Sequence, residues 1–199
     1  MLKGGLIMQL LSIKIANDIG DHIMNRFYEY AAKYNIDLDY VTLYIYPYNY
    51  NGVPDYARCS NGEAVTNLTM LYDNDNIVRA IGGEIYIPNE KIIMSLIDFN
   101  MDVDNCKKYY DIILLHEIGH IIYSNKIFVG NSVNFCEECL ENDRLKEHTV
   151  PKLRKNASLK SRIKFFRTFF ELEAEKGAND AVGITIDDII DLEKLKLYK

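Results

Sequence analysis

The chain has 199 residues, of which 48% are hydrophobic and 26% charged, with 23 basic and 29 acidic side chains and a formal net charge of −6. This length fits one domain over residues 1–199 that buries most of its apolar surface without disulfides, and the composition excludes a disordered or fibrous chain. No uncharged apolar stretch is as long as a membrane span, and the acidic charge argues against non-specific nucleic-acid binding by the whole molecule.

The N-terminal segment is apolar, but it lacks the small-residue cleavage site of a signal peptide, so we expect a cytoplasmic protein. The spacing of its apolar residues predicts an amphipathic helix over Met8–Tyr34. In that compartment the cysteines are expected to be reduced thiols: Cys59, Cys106, Cys136 and Cys139. Cys136 and Cys139 have the spacing of a metal or redox pair, but without a second such pair we interpret them as structural or incidental.

Residues 35–90 are predicted to form a strand-rich half. Segments rich in β-branched and aromatic residues predict three strands: Asp39–Tyr48, Ala64–Tyr72 and Ile77–Ile87. The short links between them favour an antiparallel meander. Gly82 and Gly83 interrupt the third strand and are typical of a bulge or of a place where another backbone comes close.

Residues 103–199 are predicted to form a helical half. The spacing predicts helices over Asp104–Tyr123, Leu153–Ala181 and Thr185–Leu197, with Thr185 as an N-terminal cap. The first of these is apolar nearly all round and should be buried. The expected fold class is α+β, with an N-terminal helix, a three-stranded mostly antiparallel sheet, a buried central helix and a C-terminal helical region.

One motif dominates the sequence. His116-Glu117-Ile118-Gly119-His120 is an HExxH motif, and residues four apart on a helix share one face, so both imidazoles can reach one metal ion. Glu117 lies beside that face and can polarise a water molecule rather than ligate. Because two imidazoles and a carboxylate on a buried helix would cost several kcal/mol without a partner, the motif predicts a bound divalent ion, Zn²⁺.

Catalytic zinc needs a third protein ligand, and Glu171 is the best candidate. Glu171 and Glu175 lie four apart and would share one face of a helix, so that Glu171 binds the metal while Glu175 accepts a histidine N–H. The small Ala174 and Ala178 would let this helix approach the HExxH helix closely. Alternative ligands remain open: Glu138, Glu173, His148 and His22.

The segments HEIGH and ELEAEKGA together resemble the gluzincin pattern, in which an HExxH helix is followed by a Glu-x-x-Ala-Asp helix. The order of elements from about Ile77 to Gly183 is similar to that of small gluzincins, among them the ImmA/IrrE-like metallopeptidases often encoded by phages and mobile elements. The resemblance implies a zincin-like fold with zinc on His116, His120 and Glu171. Here a glutamate, Glu175, replaces the usual aspartate.

The resemblance also implies an activity, that of a zinc endopeptidase cutting a protein target. Glu117 would take a proton from a metal-activated water as it attacks the peptide carbonyl, and would pass that proton to the leaving amine. Two alternatives stay open for strand Ile77–Ile87: its edge pairs with the extended substrate, or Gly82 and Gly83 form an ordinary turn or bulge and the strand makes no substrate contact.

A basic segment, Lys152–Arg167, offers a different function. Its cations are not interrupted by any acid: Lys152, Arg154, Lys155, Lys160, Arg162, Lys164 and Arg167. Such a segment is a solvated helix face or a docking surface for an acidic protein partner or nucleic acid, through which a metal-containing regulatory module would act. Alternatively, the acidic stretch Asp187–Glu193 of the same chain covers the basic segment.

Overall fold

Helices and strands follow one another along the chain much as the hydrophobic patterns predict. The computed structural model describes residues 2–46, 64–73, 76–89, 92, 96, 101–127 and 157–195. Within them lie α1 (Leu2–Tyr34), β1 (Val41–Tyr46), β2 (Val65–Asp73), β3 (Asn76–Pro88), α2 (Val103–Ile127), α3 (Leu159–Phe170), α4 (Glu173–Val182) and α5 (Ile186–Leu195). The predicted α+β class is confirmed. In these ranges, none of the helices combines the length and apolar character that crossing a bilayer requires.

The sheet has the strand order β1-β3-β2, with β3 parallel to β1 and antiparallel to β2. The predicted meander is wrong, because β1 pairs with β3 and not with β2. Residues 47–64 connect β1 to β2, which is long enough for the chain to place β2 on the far side of β3. β3 pairs with β2 over Asn76–Tyr86 but with β1 only over Gly83–Pro88, so it is paired along both edges only from Gly83 to Tyr86. The expected pairing of Ile77–Ile87 with a substrate therefore stays a prediction.

Gly82 and Gly83 lie within β3, where the chain's own backbone comes very close. A Cβ atom on Gly82 would stand 2.0 Å from the carbonyl oxygen of Tyr40, and one on Gly83 would stand 2.6 Å from that of Asn67. The register between β2 and β3 also shifts next to Gly82. The two glycines therefore mark a bulge and a close backbone approach, as predicted, but they do not end the strand.

The core lies where α1 and α2 pack on the sheet. All three elements contribute buried aliphatic side chains to it: Ile19, Ile23, Ile85, Ile87, Leu114, Ile118 and Ile121. Burial of each such side chain contributes about 1.5–3 kcal/mol. The predicted burial of α2 is confirmed, so the polar residues of its HExxH motif are held on a fixed helix.

The predicted helix Leu153–Ala181 is interrupted at Glu171 and Leu172. Glu171 ends α3 as its C-cap, while Leu172 is extended, with φ −65° and ψ 135°, and its side chain is buried. Burial of the leucine turns the chain between α3 and α4. Glu171 and Glu175 therefore do not share one continuous helix face.

Thr185 caps α5 as predicted. Its hydroxyl oxygen accepts a hydrogen bond from the backbone N–H of Asp188, and its own N–H and O–H groups donate to the Asp188 carboxylate. This reciprocal arrangement satisfies donors at the start of the helix.

Candidate metal centre

The two histidines of the HExxH motif lie side by side on α2. The Nε2 atoms of His116 and His120 are 3.1 Å apart, and their ring centroids are separated by 4.6 Å. The prediction that the helix brings both imidazoles to one face is confirmed.

Glu175 of α4 completes the group. Its Oε2 atom lies 3.0 Å from Nε2 of His116 and 3.5 Å from Nε2 of His120, and the residue is only 3% exposed. In a tetrahedral zinc site with bonds of 2.0–2.2 Å, ligand atoms are separated by about 3.3 Å. The three distances of 3.0, 3.1 and 3.5 Å bracket that value, so these three side chains could hold one metal ion.

Glu171 does not take the position expected of it. It lies exposed at the end of α3, and among the described residues the group that can hold a metal contains Glu175 in its place. The break between α3 and α4 removes Glu171 from the face that packs on α2. Of the alternatives, Glu138, His148 and the side chain of Glu173 lie outside the described residues.

His22 belongs to a different part of the molecule. Its Nε2 atom is 2.9 Å from a carboxylate oxygen of Asp111, which joins α1 to the first half of α2. It is not part of the group that can hold a metal.

The sequence contains two matches to the Glu-x-x-Ala pattern, one helical turn apart. The pattern Glu-x-x-Ala fits Glu171–Ala174, and it fits Glu175–Ala178 equally well. The second alignment places Asn179 where the gluzincin pattern has aspartate. The choice between the two depends on where α3 ends, which the amphipathic spacing did not indicate.

Asn179, and not Glu175 as predicted, accepts the hydrogen bond from Nδ1 of a motif histidine. Its side-chain N–H group donates to the backbone carbonyl of Glu175 at 2.8 Å, so its oxygen faces Nδ1 of His116 at 2.9 Å. That oxygen can only accept, so Nδ1 carries the proton and Nε2 of His116 points to Glu175. The amide thereby fixes the ring in the orientation that metal binding needs.

The surroundings of His116 favour its protonated form when no metal is bound. Burial lowers the pKa, but the hydrogen bond to Glu175, the charges of Glu117 and Glu175, and the hydrogen bond to Asn179 outweigh it and raise the pKa to about 9. The proton then occupies the place between imidazole and carboxylate that a cation would take.

Small residues allow α2 and α4 to come this close. A Cβ atom on Gly119 would lie 2.2 Å from the carbonyl oxygen of Ala178, and one on Gly177 would lie 2.2 Å from the ring of Tyr123. The prediction that Ala178 lies at a close helix contact is confirmed, and its side chain is fully buried. The facing glycine, Gly119, is part of the HExxH motif itself.

Glu117 is buried and is not one of the three residues, His116, His120 and Glu175, that could hold a metal. It is 8% exposed, and its Oε2 atom accepts a hydrogen bond of 2.5 Å from the hydroxyl of Thr66 on β2. Because 51 residues separate the two positions, no local pattern in the sequence pointed to this contact.

The basic segment is partly internal. Arg162 is buried and donates to the carboxylate of Glu193 at 3.1 Å, which joins α3 to α5. The expected cover by the acidic stretch Asp187–Glu193 is thus confirmed for this one cation. Lys160, Lys164 and Arg167 are exposed, while Lys152, Arg154 and Lys155 lie outside the described residues.

Only one cysteine lies within the described residues. Cys106 is fully buried in α2 as a free thiol, and burial, with a smaller effect of the Asp102 charge, raises its pKa to about 12. Cys59, Cys136 and Cys139 lie outside the described residues.

Comparison with known proteins adds no relative from which a role could be transferred to this site. Neither a protein-family model, nor a curated protein, nor a solved structure matches the chain.

Proposed function

We propose that the chain is a zinc-dependent peptidase, in which His116, His120 and Glu175 hold the metal and Glu117 is the general base. The observation that carries the proposal is the set of three donor atoms, 3.0–3.5 Å apart, beside a buried carboxylate that is not one of them. Three protein ligands and a nearby free base are typical of catalytic zinc sites, whereas structural sites use four protein ligands.

Each residue then has a distinct task. Bound zinc would lower the pKa of a water molecule to about 7 and polarise the carbonyl of the substrate. The Glu117 carboxylate takes a proton from the attacking water and delivers it to the leaving nitrogen as the C–N bond breaks. Asn179 keeps Nδ1 of His116 protonated, so that Nε2 is presented to the ion.

The position of β2 supports an extended peptide as substrate. β2 is at one end of the three-stranded sheet, and Thr66 on this strand touches Glu117. Its outer edge has no strand partner among the described residues. A peptide added along that edge would pass beside Glu117, because main-chain hydrogen bonds align an added strand with the sheet.

The experiment compares wild type with Glu117→Gln and Glu171→Gln, each stripped of metal and reloaded with one equivalent of zinc. The substrate is a pooled library of fluorescence-quenched octapeptides. We expect wild type and Glu171→Gln to cleave the same peptides at similar rates. Glu117→Gln should retain zinc and lose about 10²–10⁴-fold in rate, since it cannot accept the proton.

Two results would contradict the proposal. One is a zinc-loaded wild type that cleaves no member of the library. The other is a Glu117→Gln variant that cleaves as fast as wild type, which would make any observed hydrolysis independent of this site.

A further inference from the structure

The carboxylate of Glu117 has a specific hydrogen-bond donor on the sheet. The Oγ1 atom of Thr66 lies 2.5 Å from Oε2 of Glu117 and 3.2 Å from the backbone carbonyl of the same residue. The shorter distance is at the lower end of the range for O–H···O bonds, which is typical of a hydroxyl that donates to a charged carboxylate. Among the described residues, no other side chain donates to this carboxylate.

The position of Thr66 in the sheet restricts the movement of the Glu117 side chain that it contacts. It lies in the paired part of β2, opposite Ile85 of the central strand, and Ile85 is fully buried in the core. Being β-branched, threonine has few rotamers available, so the hydroxyl is fixed by a rigid element. A buried carboxylate with one oxygen fixed in this way cannot rotate freely.

We infer that Thr66 is a positioning residue for the general base, and this inference rests on the proposed function. Its hydroxyl binds Oε2 of Glu117 and leaves Oε1 as the oxygen that exchanges protons with the reacting water and the leaving nitrogen. Because Thr66 belongs to the strand whose free edge would receive the peptide, one strand both aligns the substrate and orients the base.

The test uses three variants of the zinc-loaded protein. Thr66→Val removes the hydroxyl and keeps the shape and strand preference, whereas Thr66→Ser keeps the hydroxyl. Thr42→Val is the matched control, since Thr42 is an exposed threonine on β1, at the opposite end of the sheet. The substrate is the octapeptide that wild type cleaves best.

We expect Thr66→Val to lower kcat about 10–100-fold, with KM and zinc content close to the wild-type values, because only the orientation of the base changes. Thr66→Ser should restore kcat to within about threefold of wild type, and Thr42→Val should leave it unchanged. A purely structural role would instead lower thermal stability or zinc content in Thr66→Val, and it would not require the hydroxyl.

A second measurement reads the hydrogen bond without using activity. In metal-free protein with ¹³C-labelled glutamate carboxyl groups, the resonance that disappears in Glu117→Gln identifies Glu117. We expect that resonance to move in Thr66→Val, to stay near its wild-type position in Thr66→Ser and to be unchanged in Thr42→Val.

The outcomes distinguish a failure of the role proposed for Thr66 from a failure of the proposed peptidase activity. If wild type cleaves and Thr66→Val cleaves with the same kcat, or if the Glu117 resonance does not move in Thr66→Val, the role of Thr66 is refuted and the peptidase stands. If zinc-loaded wild type cleaves nothing, the peptidase is refuted, and with it any role of Thr66 in hydrolysis.

Discussion

At the scale of single residues, the site depends on a buried carboxylate shared by two imidazoles. Glu175 is nearly inaccessible to solvent, and its Oε2 atom is within 3.5 Å of both Nε2 atoms. A buried carboxylate needs a cation beside it. In the metal-free protein that cation is protonated His116, whose pKa is raised to about 9, and a bound metal would replace the proton.

This competition predicts how zinc affinity depends on pH. Ligation requires neutral His116, so zinc must displace its proton below about pH 9, and affinity should rise about tenfold per pH unit for this proton between pH 7 and 9. Competition with a chromophoric chelator measures the affinity. The stability of the metal-free protein should instead fall as the pH rises. The raised pKa of His116 stabilises the folded state fully below pH 6.5, and this stabilisation is lost as the pH rises through about 9.

Two results would contradict this prediction. One is a zinc affinity that does not change between pH 7 and 9. The other is a metal-free wild type whose stability, relative to that of Glu175→Gln, rises between pH 7 and 9. The Glu175→Gln variant is the control, because it lacks the carboxylate that favours the proton on His116.

At the scale of elements, the spacing between α2 and α4 sets the geometry of the three donor atoms. The helices touch where Gly119 faces the backbone of Ala178. Gly119 directly precedes His120 on α2, and Ala178 lies three residues after Glu175 on α4. Any side chain at Gly119 must push the helices apart, which would separate Glu175 from the two histidines. Packing therefore restricts Gly119 to glycine, although the HExxH motif allows any residue at this position.

Gly119→Ala is expected to lower the free energy of unfolding of the metal-free protein by about 1–3 kcal/mol, because its Cβ atom would lie 2.2 Å from the Ala178 carbonyl oxygen. Gly20→Ala in α1 is the matched control. Its Cβ atom would come no closer than 3.7 Å to Ile45, so the gain in helix propensity should stabilise the protein by about 0.5–1 kcal/mol. Urea unfolding measures both changes. Equal effects of the two variants would show that the α2–α4 contact is not tight.

At the scale of the whole molecule, local patterns predicted most elements, and tertiary packing decided the rest. Apolar spacing located α1 and α2, and β-branched and aromatic composition located the three strands. Strand order was not predictable, since both β1 and β2 pair with β3 and nothing local selects between neighbours.

The error in the third ligand has the same origin. The apolar spacing continues through Glu171 and Leu172, whereas burial of Leu172 in an extended conformation ends one helix and starts another. The HExxH motif was predictable from sequence because its residues lie on a single helix. The sequence offered Glu175 only as one of two equal matches and did not indicate Asn179 or Thr66, because their contacts depend on how that helix packs against α4 and β2.

The zinc content of wild type, Glu175→Ala and Glu171→Ala, measured by elemental analysis after dialysis against the same free zinc concentration, tests the central claim most directly. Circular dichroism checks that each variant is folded. We predict one zinc ion per chain in wild type and in Glu171→Ala, and far less than one in Glu175→Ala. Full zinc content in a folded Glu175→Ala, or its loss in Glu171→Ala, would contradict the assignment of His116, His120 and Glu175 as the metal site.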